Sequence, residues 1–161
     1  MDNYKNITRI LLFIWGFFFT TILFAQNIQI KDGLYYKMGM LYTGVHVEHY
    51  DNKQPKAQYE IKNGTLDGLT IFYYESGTKK EQSSYKEGKK DGIWINWSEN
   101  GSKIAEARYV SDKKHGEWFI WDENGNLLYE MHYRMGEKTG IWKMYDASGK
   151  LINERSYRGT N

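Results

Sequence analysis

Glu106, Glu130 and Glu154 stand 24 residues apart, with Gln82 one step ahead of them. Two carboxylates can share acid and base work only where their surroundings push their pKa values apart. Residues recurring at one step have like surroundings, and a repeat built of two strands would hold successive copies about 10 Å apart. Their expected partners are local lysine or arginine side chains, so no catalytic residues are assigned. His46, His49, His115 and His132 are the only imidazoles, and cysteine is absent. His46 and His49 are three apart, which on a strand sends them to opposite faces, so the spacing does not build a zinc site. No metal or other cofactor is expected. Lack of cysteine also removes disulfides, thiol catalysis and lipid attachment at a lipobox cysteine.

The residues that do recur in a way chemistry can use are aromatic. Trp94, Trp118 and Trp142 share the 24-residue step, as do Trp97 and Trp121 with Tyr73 and Tyr145, and Tyr85, Tyr109, Tyr133 and Tyr157. Two glycine series keep the same step, Gly44 to Gly140 and Gly77 to Gly149. A fixed period of this size means a repeat architecture, so function is to be sought on a surface made by repetition. Binding is the expected use of Trp94, Trp118, Trp142, Trp97, Trp121, Tyr109 and Tyr133, because large rings suit a protein hot spot or stack on sugars. Packing within a thin sheet would use the same rings, and it competes with that reading.

The elements that must position them are strands. Aromatic residues make up 17% of the chain and only one proline is present, which suits a pleated surface. Each repeat reads as strand, turn, strand, turn, with strands of about seven residues. Asn100-Gly101 and Asn124-Gly125 carry the hairpin signal of a type I′ turn, and the connection from Lys86 to Gly92 is expected to be longer and charged. A two-residue loop at Asn100-Gly101 would place Gly92 opposite Tyr109, Trp94 opposite Ala107, Ile95 opposite Glu106 and Trp97 opposite Ile104. Trp94 and Tyr109 then share one face, and Trp97 takes the other. A glycine facing each tyrosine would leave room for the ring.

Residues 1–25 read as a signal peptide, with Lys5 and Arg9 before the apolar run Ile10 to Phe24 and cleavage after Ala25. An uncleaved anchor is the alternative, since Leu23 breaks the small-residue rule. Residues 26–43 are expected to cap the array with strand structure and a turn at Asp32-Gly33, residues 44–157 to hold about five repeats, and residues 158–161 to be a tail. A net charge of +2, with lysines spread among acids, argues against nucleic acid as a partner.

The stretch Tyr-Lys-Glu-Gly-Lys-Lys-Asp-Gly-Ile-Trp-Ile-Asn-Trp-Ser-Glu-Asn-Gly at residues 85–101 resembles the MORN-repeat variant of secreted and toxin–antitoxin-associated bacterial proteins, the YwqK-type antitoxin family. Gly-Glu-Trp at 116–118 and Gly-Ile-Trp at 140–142 fit the same pattern, while His46 and Thr70 depart from it at the tryptophan. The resemblance implies a non-enzymatic protein-binding scaffold, with a toxin as the implied partner. Together with the leader it implies an exported member, in the periplasm, envelope or outside the cell. The expected fold is all-β, an elongated single-layer antiparallel sheet of tandem hairpins. Two further roles remain open at this point: an envelope-associated structural protein that binds lipid or cell wall, and an enzyme acting on cell-wall glycans. The latter would need a deep cleft with paired carboxylates.

Overall fold

The computed structural model describes residues 27–159, and the expected leader at 1–25 lies outside them, as do Gln26, Thr160 and Asn161. The described chain is all strand and turn. Three short strands, β1 (Gln29–Lys31), β2 (Leu34–Lys37) and β3 (Met40–Leu41), form a small meander. Its first turn is at Asp32-Gly33, where both residues have positive φ, 52° and 76°.

Beyond it the chain builds one open antiparallel sheet from β4 (Gly44–His49), β5 (Pro55–Lys62), β6 (Thr65–Tyr73), β7 (Lys79–Lys86), β8 (Lys89–Trp97), β9 (Lys103–Val110), β10 (Lys113–Lys114), β11 (Gly116–Trp121), β12 (Leu127–Arg134), β13 (Glu137–Tyr145) and β14 (Leu151–Tyr157). Every strand from β4 onward pairs with its neighbours in sequence, and β10 with β11 is one strand interrupted at His115. Only Ala57, Ile61 and Ile71 are buried apolar side chains among the described residues. The array therefore rests on contacts between adjacent strands rather than on a central core.

Its two kinds of turn are the reverse of the expectation. Asn100 does not take positive φ; the Gly101 amide donates to the Ser98 carbonyl at 2.9 Å and Gly101 alone is left-handed, at φ 87°. This is a three-residue loop with a glycine bulge. It slips the register by one, so Trp97 faces Lys103 and not Ile104, while Gly92–Tyr109, Trp94–Ala107 and Ile95–Glu106 pair as expected. The same loop follows Tyr50, Tyr74, Asp122 and Asp146.

The connection expected to be long is the tight one. Lys86 pairs with Lys89 across Glu87-Gly88, whose φ values of 50° and 79° suit a type I′ turn. Asn63-Gly64, Ser111-Asp112 and Met135-Gly136 turn in the same sense. Each of these turns is held by the segment before it, Asn63-Gly64 by Tyr42 and Thr43 and the others by the preceding repeat. The Gly88, Asp112 and Gly136 amides donate to the carbonyls of Leu66, Lys90 and Lys114 at 2.7–2.9 Å. The preceding turn amides of Glu87 and Ser111 donate to the carboxylates of Asp67 and Asp91.

Glycine faces tyrosine as expected, but for another reason. Gly92 has φ 110°, and a Cβ there would lie 2.9 Å from the Cβ of Ser84, with no atom of Tyr109 within 4 Å. The glycine serves a bulge in β8, where Ser83 faces Trp94 but Tyr85 faces Lys90. Ring accommodation is not its role.

Candidate functional site: an aromatic ladder topped by lysines

The step of 24 residues becomes a continuous file of rings. Tyr85, Trp94, Tyr109, Trp118, Tyr133, Trp142 and Tyr157 follow one another on β7, β8, β9, β11, β12, β13 and β14. From Trp94 onward the centroids are 4.9–5.2 Å apart with tilted planes, the geometry aromatic pairs favour. The indole N–H groups of Trp118 and Trp142 donate to the carbonyls of Arg108 and His132, at 3.1 and 3.0 Å. These bonds tie each ring to the strand before it.

Toward the N-terminus the file loosens. Tyr85 and Trp94 are 6.5 Å apart, the Trp94 N–H is buried without a partner, and Thr70 stands where a tryptophan would be. Thr70 Oγ1 is likewise buried and unpartnered. A smaller group takes over there, with Tyr59 against Tyr35, His46 and Phe72 at about 6 Å. Burial, then the charge of Glu48, pushes the Tyr59 hydroxyl up to about 12. Burial also raises Tyr85, Tyr109 and Tyr133.

Five of the seven expected site residues thus come together: Trp94, Trp118, Trp142, Tyr109 and Tyr133. Trp97 and Trp121 do not join them, because they sit three residues on along their strands and face the other way. There they lie beneath lysines, Lys79 at 5.8 Å from the Trp97 ring and Lys103 at 4.5 Å from the Trp121 ring, and Trp121 packs against Phe119 at 5.6 Å. That second face also holds the repeating glutamates. Glu106 pairs with Lys103 at 2.8 Å, and Glu130 with Lys143 at 3.4 Å and His132 at 3.6 Å. The lysines are the local partners expected of Glu106 and Glu130, and His132 is an addition to them. No three His, Cys, Asp or Glu side chains among the described residues could hold a metal ion.

A second repeating element accompanies the ladder and had not been singled out. Lys90 lies 3.9 Å from the Trp94 centroid and 5.2 Å from Tyr109. Lys114 spans Trp118 and Tyr133 at 4.3 and 4.9 Å, and Lys138 spans Trp142 and Tyr157 at 4.4 and 5.3 Å. Residues four apart on a regular strand would be about 13 Å from each other. The bulge at the intervening glycine bends the strand and lays each lysine back over its own tryptophan. A signal was there to read, since Lys-x-x-x-Trp recurs at the same step. At the far end Arg155 lies 5.1 Å from the Tyr157 ring. A groove of about 190 Å³ opens beside it among Tyr129, Met131, Trp142, Met144 and Tyr157.

An open single-layer sheet of this kind, with equivalent rings in register, is a repeat scaffold. The family model for the MORN repeat variant matches residues 66–87, 114–135 and 138–158. Those segments are the hairpins β6–β7, β11–β12 and β13–β14, and β8–β9 between them has the same turns and bulges. The matched repeat is of a non-catalytic type. No curated protein matches this chain.

Proposed function

We propose that the protein is a non-enzymatic scaffold that binds a protein partner across the ladder face. One observation carries this reading: aromatic rings and cations alternate on that face in a fixed spatial order, with the repeating carboxylates kept on the opposite face. Rings and positive charge together are the chemistry of a binding hot spot. The leader-like residues 1–25 support export to the periplasm, the envelope or the outside. Neutralisation of a toxin is the finer role that the resemblance to the antitoxin family adds.

The test is site-specific photo-crosslinking in the native host. Ile120, beside the ladder, and Ile93 and Ile141, on the other face, are all exposed. A photoreactive residue at position 120 should yield a discrete protein adduct, and one at 93 or 141 should not. Adducts from the opposite face alone, or none from position 120, would refute the reading.

A further inference from the structure

Lys90, Lys114 and Lys138 occupy equivalent positions on strands two apart. Their spacing is therefore set by the sheet itself, at about 9.6 Å per repeat. Between successive ammonium groups lie the faces of one tryptophan and one tyrosine. Across β11 to β14 the ladder-face positions are Trp118 and Ile120, then Tyr129, Met131 and Tyr133, then Trp142 and Met144, then Asn153, Arg155 and Tyr157. None of these is acidic, and the ladder-face carboxylate nearest the row is Glu81 of β7, which lies beside Lys90 and Trp94 at its N-terminal end.

A chain lying along this row must present one carboxylate per step. Polyproline II advances about 9.3 Å in three residues, so every third side chain points the same way and the mismatch is a few tenths of an ångström per repeat. A β-strand brings same-face side chains round about every 6.6 Å, out of step with the lysines. An α-helix matches only over seven residues, at about 10.5 Å, and drifts faster. The half-buried rings also suit proline at their open edges, since polyproline segments dock against aromatic-lined surfaces.

The geometry points to an extended acidic polypeptide segment, carrying a carboxylate at every third residue with proline or apolar residues between, as the occupant of the ladder face. It runs across the strands, carboxylates on Lys90, Lys114 and Lys138 and intervening residues on the rings. This rests on the proposal that the ladder face binds a protein and adds the chemistry of the partner.

The purified full chain is titrated with a fluorescent peptide of Glu-Pro-Pro repeats and with a peptide of the same composition whose glutamates are clustered at one end. Further titrations use Lys-Pro-Pro repeats, a helical peptide with glutamate at every seventh residue, and phosphatidylserine vesicles. Glu-Pro-Pro should bind at least about tenfold tighter than the clustered peptide and the other ligands. Lys114→Gln and Lys138→Gln should each weaken it about three- to tenfold with an unchanged circular dichroism spectrum, and added salt should weaken it further. Equal binding of the spaced and clustered peptides, preference for the helix or the vesicles, or indifference to both substitutions would overturn the inference. If Glu-Pro-Pro fails while position 120 still crosslinks to a protein, this inference falls and the binding face stands. If neither occurs, both fall.

Discussion

Trp118→Ala and Trp97→Ala should differ in cost although both rings are half-buried tryptophans in equivalent strands. Truncating Trp118 removes ring contacts to Tyr109 and Tyr133, each at 5.2 Å, and the indole bond to the Arg108 carbonyl at 3.1 Å. The two ring pairs are worth about 1 kcal/mol each and the hydrogen bond about 1 kcal/mol, beyond roughly 1 kcal/mol for the apolar area lost. With the Lys114 contact at 4.3 Å adding about 0.5 kcal/mol, Trp118→Ala should cost about 4–5 kcal/mol. Trp97→Ala loses similar area and a contact with Lys79 at 5.8 Å, for about 1–2 kcal/mol. Urea titration followed by far-ultraviolet circular dichroism should show the larger drop in midpoint for Trp118→Ala. Equal shifts, or a larger one for Trp97→Ala, would mean that the ladder is not the spine of the sheet.

Gly92→Ala should destabilise more than Gly125→Ala. Both positions have positive φ, 110° and 87°, but only the first puts a Cβ against another side chain, so thermal melts should separate them by about 1–2 kcal/mol. Hydrogen bonds from the side chain and backbone of Asn126 hold the Asp122 carboxyl below its ordinary value of 3.8, and those from Ser148 and Lys150 do the same for Asp146. A lowered folded pKa means that the stabilisation is complete above the ordinary value and is lost as pH falls through the folded one. Carboxyl NMR titration should show both groups protonating below pH 3.8, and Asn126→Ala should move Asp122 back up. Tyr59 runs the other way: its raised pKa gives stability that is whole below pH 10 and fades as pH climbs toward about 12. Absorbance at alkaline pH should find Tyr59 among the last tyrosines to ionise while the sheet is folded, and Tyr59→Phe should remove that late step.

Much of this was legible in the sequence because both periods are local. Alternation along a strand separates Trp94 from Trp97, and the step of 24 aligns Trp94 with Trp118 and Trp142. The turns were not legible, because their geometry is decided between repeats. Asn-Gly has the intrinsic preference for a type I′ turn, yet the tight turns fall at Glu87-Gly88, Ser111-Asp112 and Met135-Gly136, where a carbonyl of the preceding repeat receives the turn amide. Composition at the turn contains no trace of that acceptor. The lysine row was hidden for a related reason. Lys90 reaches Trp94 only because a glycine bulge bends β8, and that bulge appears in the strand register with β7 rather than in β8 itself.

Everything from the ladder to the partner's proposed spacing assumes that equal steps in sequence are equal steps in space. The chain has no cysteine, so spin labels can be placed on pairs of introduced cysteines chosen from Glu75, Glu99, Glu123 and Ala147, exposed and equivalent residues in four successive loops. Electron–electron distances from Glu75 to Glu123 and from Glu75 to Ala147 should come to about 19 Å and about 29 Å, rising by one constant increment per repeat. A second distance no longer than the first, or increments that differ between repeats, would contradict the account.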